Sequence, residues 1–360
     1  MSPRLDPLRI ILVGFGTVGQ SLVKALYRDR DRFVRNYGFE PQITSIVDSR
    51  GSCTSEEGLD LPSVLKVKEK YGTIGRYLGK GELGSEPKHV ISGVDAEVVV
   101  ETTPTNFENG EPGLSNIETA LASGKHVVTT NKGPLALAMP VLLEQASNRR
   151  LQLCFSGTVG GGTPFLDFAT NCLPEESIVG VRGVLNGTTN YILTRMEESS
   201  ITLERALSEA RERGYSESDA TLDLKGLDTA AKLVIISNWV LKRRINLRDV
   251  EISGISGISL GQLRKARESG RTLKLVGRLE DSLATVKPEE VKTSDPLCIP
   301  GTLNALTYRT EHAGEVTLIG PGTGGECTAG AIIRDLVSIA RENRDQLVPA
   351  GLVAWNKNHS

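Results

Sequence analysis

Four carboxylates and a lysine crowd one short stretch of this chain: Glu217, then Asp219, Asp223, Asp228 and Lys232 within the run DATLDLKGLDTAAK. The spacing predicts acids along a turn and Asp228 in the first turn of an apolar helix, the whole run serving as one helix start. At 3.6 residues per turn Asp228 and Lys232 share a face and can point together into a cleft. Acids that hold a substrate ammonium, beside a lysine that hands over a proton, point to chemistry on an amino acid. The same spacing also describes an exposed helix pair worth ~0.3–0.5 kcal/mol, so the surrounding elements must decide.

Those elements begin at the N-terminus. Arg9 to Val13 is a β-branched run leading into GFGTVG: Gly14, Phe15, Gly16, Thr17, Val18 and Gly19. A helical pattern of Leu22, Val23 and Leu26 follows. Strand, glycine turn and helix in this order give the glycine pattern its meaning as a dinucleotide site. Gly14 permits the turn, Gly16 lets the backbone approach a pyrophosphate, and Gly19 lets helix and strand pack closely. The phosphates then meet the positive end of the helix.

A second strand, Ile43 to Val47, ends at Asp48 and Arg50. An acid there suits the ribose hydroxyls of NAD and an arginine suits the 2′-phosphate of NADP, so both coenzymes stay in play. Gly51 to Gly84 reads as polar and glycine-rich, with a helix around Val64 to Tyr71 that carries Lys66 and Lys68. Strands at Ala96 to Val100 and His126 to Thr129 are followed by Thr102, Thr103, Thr130 and Lys132. In an open α/β sheet these positions line the ligand crevice, here its nicotinamide end. Helices over Leu114 to Ser123 and Leu135 to Ser147 complete a doubly wound first domain.

After Arg150 the pattern changes. Strands are expected at Leu151 to Phe155, Ile178 to Leu185 and between Val286 and Ile319, with helices at Tyr191 to Met196, Leu203 to Arg213 and Gly226 to Leu241. Gly214 stops the second of these as a left-handed cap. A last helix covers Thr328 to Arg341. The fold expected is α/β: a Rossmann-type doubly wound nucleotide domain at 1–150, a second, α+β domain at 151–318, and an irregular tail at 346–360.

Composition narrows the function classes. A net charge of -2 and 4% aromatic residues over 360 residues leave no basic face or stacking platform for nucleic acid. No apolar run is long enough to span a membrane, and the first residues lack a signal-peptide pattern. The five cysteines have no CxxC spacing, which argues for free thiols in a reducing, cytoplasmic setting.

In order along the chain stand GFGTVG at Gly14, TTNK at Thr129, SGTVGGGTP at Ser156, GVLNGTTNYILTRM at Gly183, GY at Gly214, GLDTAAK at Gly226, DPL and GTLNAL from Asp295, and GPGTGGECTAGAIIRDL at Gly320. Taken together these resemble homoserine dehydrogenase over nearly the whole chain. The resemblance implies reversible NAD(P)H-dependent reduction of L-aspartate 4-semialdehyde to L-homoserine, on the way to threonine and methionine. It places the proton-donating lysine on Lys232, a second catalytic-site lysine on Lys132, and substrate-binding acids on Glu217 and Asp228, with Asp223 in the same cluster. Gly187, Thr188 and Tyr215 fall near the substrate, and Gly214 and Gly324 against the cofactor. It also implies a homodimer through the second domain's sheet and the return of 319–345 to the nucleotide domain.

Family members can hold a monovalent cation such as Na+ on the turn after Ser156. Here the carbonyls of Val159 and Gly161, with Thr163, are the candidate ligands, but Ser156 stands where the family has a glutamate. No regulatory amino-acid domain is expected after the last helix. Two rivals share the glycine motif. An aspartate dehydrogenase on this scaffold has no reason to carry GLDTAAK after an acidic turn. A non-catalytic NAD(P)-binding protein would be expected to lack Lys232 or the acids.

Overall fold

Seven strands make the first sheet: β1 (Pro7–Val13), β2 (Glu40–Asp48), β3 (Gly51–Thr54), β4 (Gly81–Leu83), β5 (Val98–Glu101), β6 (His126–Thr129) and β7 (Leu153–Cys154), in the order β4-β3-β2-β1-β5-β6-β7. The computed structural model that shows them describes residues 7–216, 219–281 and 283–345. β2, β1, β5, β6 and β7 run parallel, and β3 and β4 extend the β2 edge antiparallel. Ile10, Ile11 and Leu12, and Val98, Val99 and Val100, are fully buried, as expected where helices cover both faces of a parallel sheet. The chain passes from β1 to β2 on one side and returns to β5 on the other. A crevice therefore opens beyond the carboxyl ends of β1 and β5, the place where such sheets bind ligands.

The helix Thr17–Arg28 and the final helix Gly325–Asp345 pack on one face. Leu22, Val23 and Leu26 share a core there with Ile10, Leu12, Ala329, Ile332 and Leu336. On the other face Ile11, Val13 and Val99 meet Ile117, Leu121, Leu135 and Met139, and this core runs without a break into the second sheet.

That sheet holds β8 (Ile178–Val184), β9 (Val250–Ile252), β10 (Arg271–Glu280), β11 (Leu283–Lys292), β12 (Leu303–Thr310) and β13 (Glu315–Pro321), ordered β13-β12-β8-β10-β11-β9. The helices Gly187–Ser199 and Leu227–Trp239 pack against it. Gly277 of β10 lets the second helix approach, because a Cβ there would lie 3.0 Å from Thr229 and 3.1 Å from Leu233.

Several sequence expectations change. The Gly51 to Gly84 stretch carries the two strands β3 and β4, the second at the sheet edge, as well as the helix Leu61–Tyr71. The strand expected at Leu151 to Phe155 shortens to two residues before a tight turn at Ser156–Thr158. β10 sits mid-sheet although its sequence, RTLKLVGRLE, has too many charges to read as a core strand. Arg278 is neutralised by Glu280 and Glu289, and Lys274 is buried on Asn190 and a carbonyl. The run from Asp219 to Lys232 is not one helix start. It divides into Thr221–Leu224 and Leu227–Trp239 at Gly226, whose φ of 84° favours glycine. Among the described residues, no helix is long and apolar enough to cross a membrane. The expected tail at 346–360 lies outside the described residues.

Candidate active site

The glycine turn has the geometry that its sequence requires. Gly14 has φ 97°, and a Cβ there would stand 2.6 Å from the Thr102 backbone at the end of β5. A Cβ on Gly19 would meet the Gly14 carbonyl at 2.3 Å, whereas one on Gly16 would meet nothing within 4 Å. Gly14 and Gly19 thus close the strand–helix packing, and Gly16 faces open space. Gly16 is also the N-cap of Thr17–Arg28 and supplies no side-chain bond, so the first amides of that helix are available to an anion. Thr17 is exposed, Val18 is half-buried and Phe15 is buried beneath the turn. The residues fit a dinucleotide at the switch point.

At the end of β2 the two candidate coenzyme readers part company. Asp48 accepts from the Arg50 backbone at 2.9 Å, Thr73 Oγ1 at 2.9 Å, Ile74 N at 2.9 Å and Lys68 Nζ at 2.7 Å. Burial alone would raise its carboxyl, but Lys68 and the other donors hold it below the usual range. Its acceptor positions are filled from within the fold. Arg50 is exposed, with Nη2 resting on the Tyr71 carbonyl at 3.1 Å.

Beyond β5 and β6 the lining residues are held by Glu101, a fully buried acid. It accepts from Thr103 N at 2.9 Å, from the Thr103 hydroxyl, and from Thr129 Oγ1 at 2.9 Å. Asn131 ties this cluster to the next helix: its amide donates to the Thr103 carbonyl, and its oxygen caps Gly133 N at 3.1 Å. Thr102 bonds the Gly14 carbonyl at 2.8 Å, and Thr130 N reaches the Glu101 carbonyl at 3.2 Å. Lys132 follows as the first residue of Lys132–Asn148. A cation is disfavoured at that end of a helix dipole, so its partner matters.

The partner is Asp228. Lys132 Nζ lies 3.3 Å from Asp228 Oδ1, and Lys232 Nζ lies 2.7 Å from Asp228 Oδ2. Lys232 is 4% exposed and also donates to the Leu185 carbonyl. Asn186 Nδ2 donates to Asp228 Oδ2 at 3.0 Å and to Asp223 Oδ1 at 2.7 Å, while its oxygen caps the helix Gly187–Ser199 by accepting from Thr189 N at 2.8 Å. Burial would raise the Asp228 carboxyl, but Lys232 and Lys132 outweigh it and hold it far below the ordinary range. Burial and the neighbouring Asp228 charge push Asp223 the other way. Three helix starts and two ammonium groups gather here, a setting that favours negative charge growing on a ligand oxygen.

Thr188 Oγ1 donates to the Tyr215 carbonyl at 2.8 Å and stands beside Asp223, and the Tyr215 ring meets Tyr191 edge-on at 5.0 Å. Gly187 packs against the Thr302 carbonyl, and Gly214, with φ 72°, ends Leu203–Glu212 just before Tyr215. Gly324, with φ 120°, leads into the final helix, whose Gly325 abuts Thr17 and Ser21. Glu217 lies outside the described residues. A separate cavity of about 320 Å³ lies at the far end of the Leu227–Trp239 helix, lined by Ser237, Arg243, Arg244 and Asp281 among others; the chemistry, not the cavity, locates this site.

Residues 14–155 match the NAD-binding domain of homoserine dehydrogenase, and residues 164–337 match homoserine dehydrogenase. The chain is 43% identical over 330 residues to the homoserine dehydrogenase of Methanocaldococcus jannaschii, covering 92% of this chain and 98% of the relative. The chain belongs to the homoserine dehydrogenase family. An NAD(+)-dependent homoserine dehydrogenase of Pseudomonas canavaninivorans is 35% identical, over 92% of this chain and 96% of its own. A hyperthermophilic archaeal homoserine dehydrogenase in complex with NADPH superposes with a TM-score of 0.82 at 28% identity, covering 94% of this chain and 98% of that one. NAD(P) is thus the coenzyme class, and both forms occur among homoserine dehydrogenases like this one.

The donor set for a monovalent cation does not fit. Thr163 Oγ1 donates to the Pro321 carbonyl at 3.1 Å and keeps its lone pairs, but Ser156 brings no charge. The nearby carboxylate, Asp335, accepts from Ser156 N at 3.1 Å, and burial pushes it up to about 7. Val159 and Gly161 are left as carbonyl donors without an acid.

Asn186, Asn304, Glu101 and Asn131 are neighbours of the candidate residues that the sequence reading did not single out. An Asn directly before Gly-Thr-Thr at a strand-to-helix turn is an N-cap signal, and it could have marked Asn186.

Proposed function

We propose that this chain interconverts L-homoserine and L-aspartate 4-semialdehyde with NAD(P), a step toward threonine and methionine. The observation that carries the reading is the Asp228 carboxylate held between Lys132 and Lys232, with Asp223 alongside. When bound, the nicotinamide coenzyme supplies hydride to the aldehyde carbon or takes it back from the alcohol.

The chain's own residues manage charge and protons. Lys232 holds the carbonyl oxygen, stabilises negative charge as it grows, and passes its proton to that oxygen; in the reverse direction its amine takes the proton back. Such an interaction strengthens toward the transition state, which is what accelerates the step. Asp228 keeps Lys232 in place. Asp223 and Glu217 offset the substrate ammonium, which would be costly to bury unpaired. Thr188, Tyr215 and Gly187 wall this pocket, and Lys132 stands on the coenzyme side, where it can meet the substrate carboxylate.

Gly14 to Gly19 would hold the pyrophosphate, Thr102, Thr103 and Thr130 would meet the nicotinamide end, and Gly214 and Gly324 would touch the coenzyme. Because the acceptors of Asp48 are committed within the fold, Arg50 is the freer reader at the ribose, which favours the 2′-phosphate of NADP.

A homodimer through the second sheet completes the reading. It is supported by edge strand β13, which exposes Ile319 and pairs only with β12 among the described residues. A cytoplasmic location accords with five free cysteines.

The test is absorbance at the nicotinamide band with homoserine, or aspartate, and either coenzyme. Reduction of NAD or NADP with homoserine and not with aspartate is expected. Activity with aspartate alone indicates an aspartate dehydrogenase, and activity with neither indicates a binding protein.

A further inference from the structure

We infer that Asn186 and Asn304 are positioning residues that aim the Lys232 proton, an inference that rests on Lys232 being the proton donor. An ammonium has three N–H bonds. Two are taken, by Asp228 Oδ2 at 2.7 Å and by the Leu185 carbonyl. The direction of the third, which must meet the substrate oxygen, is therefore fixed by where those two acceptors stand.

Each acceptor is held by an asparagine amide. Asn186 Nδ2 bonds Asp228 Oδ2 at 3.0 Å, and Asn304 Nδ2 bonds the Leu185 carbonyl at 2.8 Å. The Asn186 amide has one workable orientation. Its oxygen faces Thr189 N and the Thr189 hydroxyl at the helix start, so its nitrogen must face the carboxylates. Asn304 is fully buried and wedged against Gly322, where a Cβ would come within 2.1 Å of the amide. Both amides are thus locked by backbone, one by a helix cap and the other by the glycine loop that leads into the final helix. Asn186 also bridges Asp223 and Asp228, lowering the repulsion between two acids that would otherwise push each other apart.

The cap and the positioning role can be separated. Asn186→Asp retains an oxygen for Thr189 N but replaces the donor with a third carboxylate; Asn186→Ser keeps a capping hydroxyl and simply removes the donor. Asn304→Leu keeps the branched outline, with bulkier methyl groups, and frees the Leu185 carbonyl. The measurements are kcat and KM for homoserine across pH, with the Asp223 carboxyl titration followed by 13C NMR in the same proteins.

For Asn186→Asp the expected result is a kcat lower by about a hundredfold, the cost of a misaimed reacting group, with coenzyme affinity unchanged and the Asp223 midpoint moved upward. Asn186→Ser should show the same directions if the aspartate variant does not fold. Asn304→Leu should lower kcat by about tenfold with the Asp223 midpoint in place, since it acts on the other acceptor. Wild-type kcat in the Asn186 variants, or a fall in kcat with an unmoved Asp223 midpoint, overturns the proposal. A wild-type protein inactive on homoserine, with the midpoint still moving in the variants, sinks the substrate reading and supports the positioning.

Discussion

Lys132 reaches Asp228 across the seam between the two sheets, Nζ to Oδ1 at 3.3 Å, although one opens a helix of the nucleotide side and the other a helix of the second sheet. Asp228 keeps its shorter bond to Lys232 at 2.7 Å when Lys132 is removed, so it should stay ionised. Lys132→Met should therefore lower kcat/KM for homoserine by about ten- to a hundredfold, through the lost cation beside the substrate. Steady-state kinetics measures this, and unchanged constants would show that the contact only joins the domains.

The glycine turn separates packing from binding. Gly19→Ala brings a Cβ to 2.3 Å from a backbone oxygen and should cost about 1–3 kcal/mol of stability. Gly16→Ala meets no atom, so its melting temperature should match wild type while the coenzyme KM rises by about tenfold or more. Calorimetry with coenzyme titration checks both. A Gly16→Ala protein with normal coenzyme affinity would move the pyrophosphate elsewhere.

Coenzyme choice should follow Arg50 rather than Asp48. Arg50→Ala should raise the KM for NADP by about tenfold, the value of a charge-assisted bond, and leave NAD nearly unchanged. Asp48→Ala removes the acceptor of four donors and should lower stability with either coenzyme. If NADP binding does not weaken in Arg50→Ala, the arginine is not its reader.

How far these residues could be read from sequence depends on contact range. The glycine turn and the Asp228–Lys232 pair are local: four to six residues and a helical repeat define them. The bonds that make the pair a site are not. Lys232 meets Leu185 across 47 positions, Asn186 meets Asp228 across 42, and Asn304 meets Leu185 across 119. β10 was hidden for a related reason, since its charges find their partners only once β11 and the Gly187–Ser199 helix are in place. Asp48 shows the converse: its position at the end of β2 is legible, but its commitment to Lys68, Thr73 and Ile74 appears only after folding.

Lys274 gives a stability prediction of definite sign. It is 3% exposed, donates to Asn190 Oδ1 at 2.7 Å and the Ile299 carbonyl at 2.6 Å, and burial pushes its ammonium down to about 8 from 10.5. Between those values the folded protein binds fewer protons than the unfolded one, so this group adds stability as pH rises, on the order of 3 kcal/mol in full. The stability of wild type relative to Lys274→Met should rise by about 2 kcal/mol from pH 8 to pH 9.5 in urea unfolding. A constant gap would mean the amine titrates normally.

Lys232→Met decides whether Lys232 delivers the proton. Asp228 would still be held by Lys132 and Asn186, so the protein should fold. With coenzyme affinity near wild type, kcat for homoserine oxidation should fall by about a thousandfold or more. A folded Lys232→Met protein that binds coenzyme and turns over homoserine at the wild-type rate would show that the proton comes from another group.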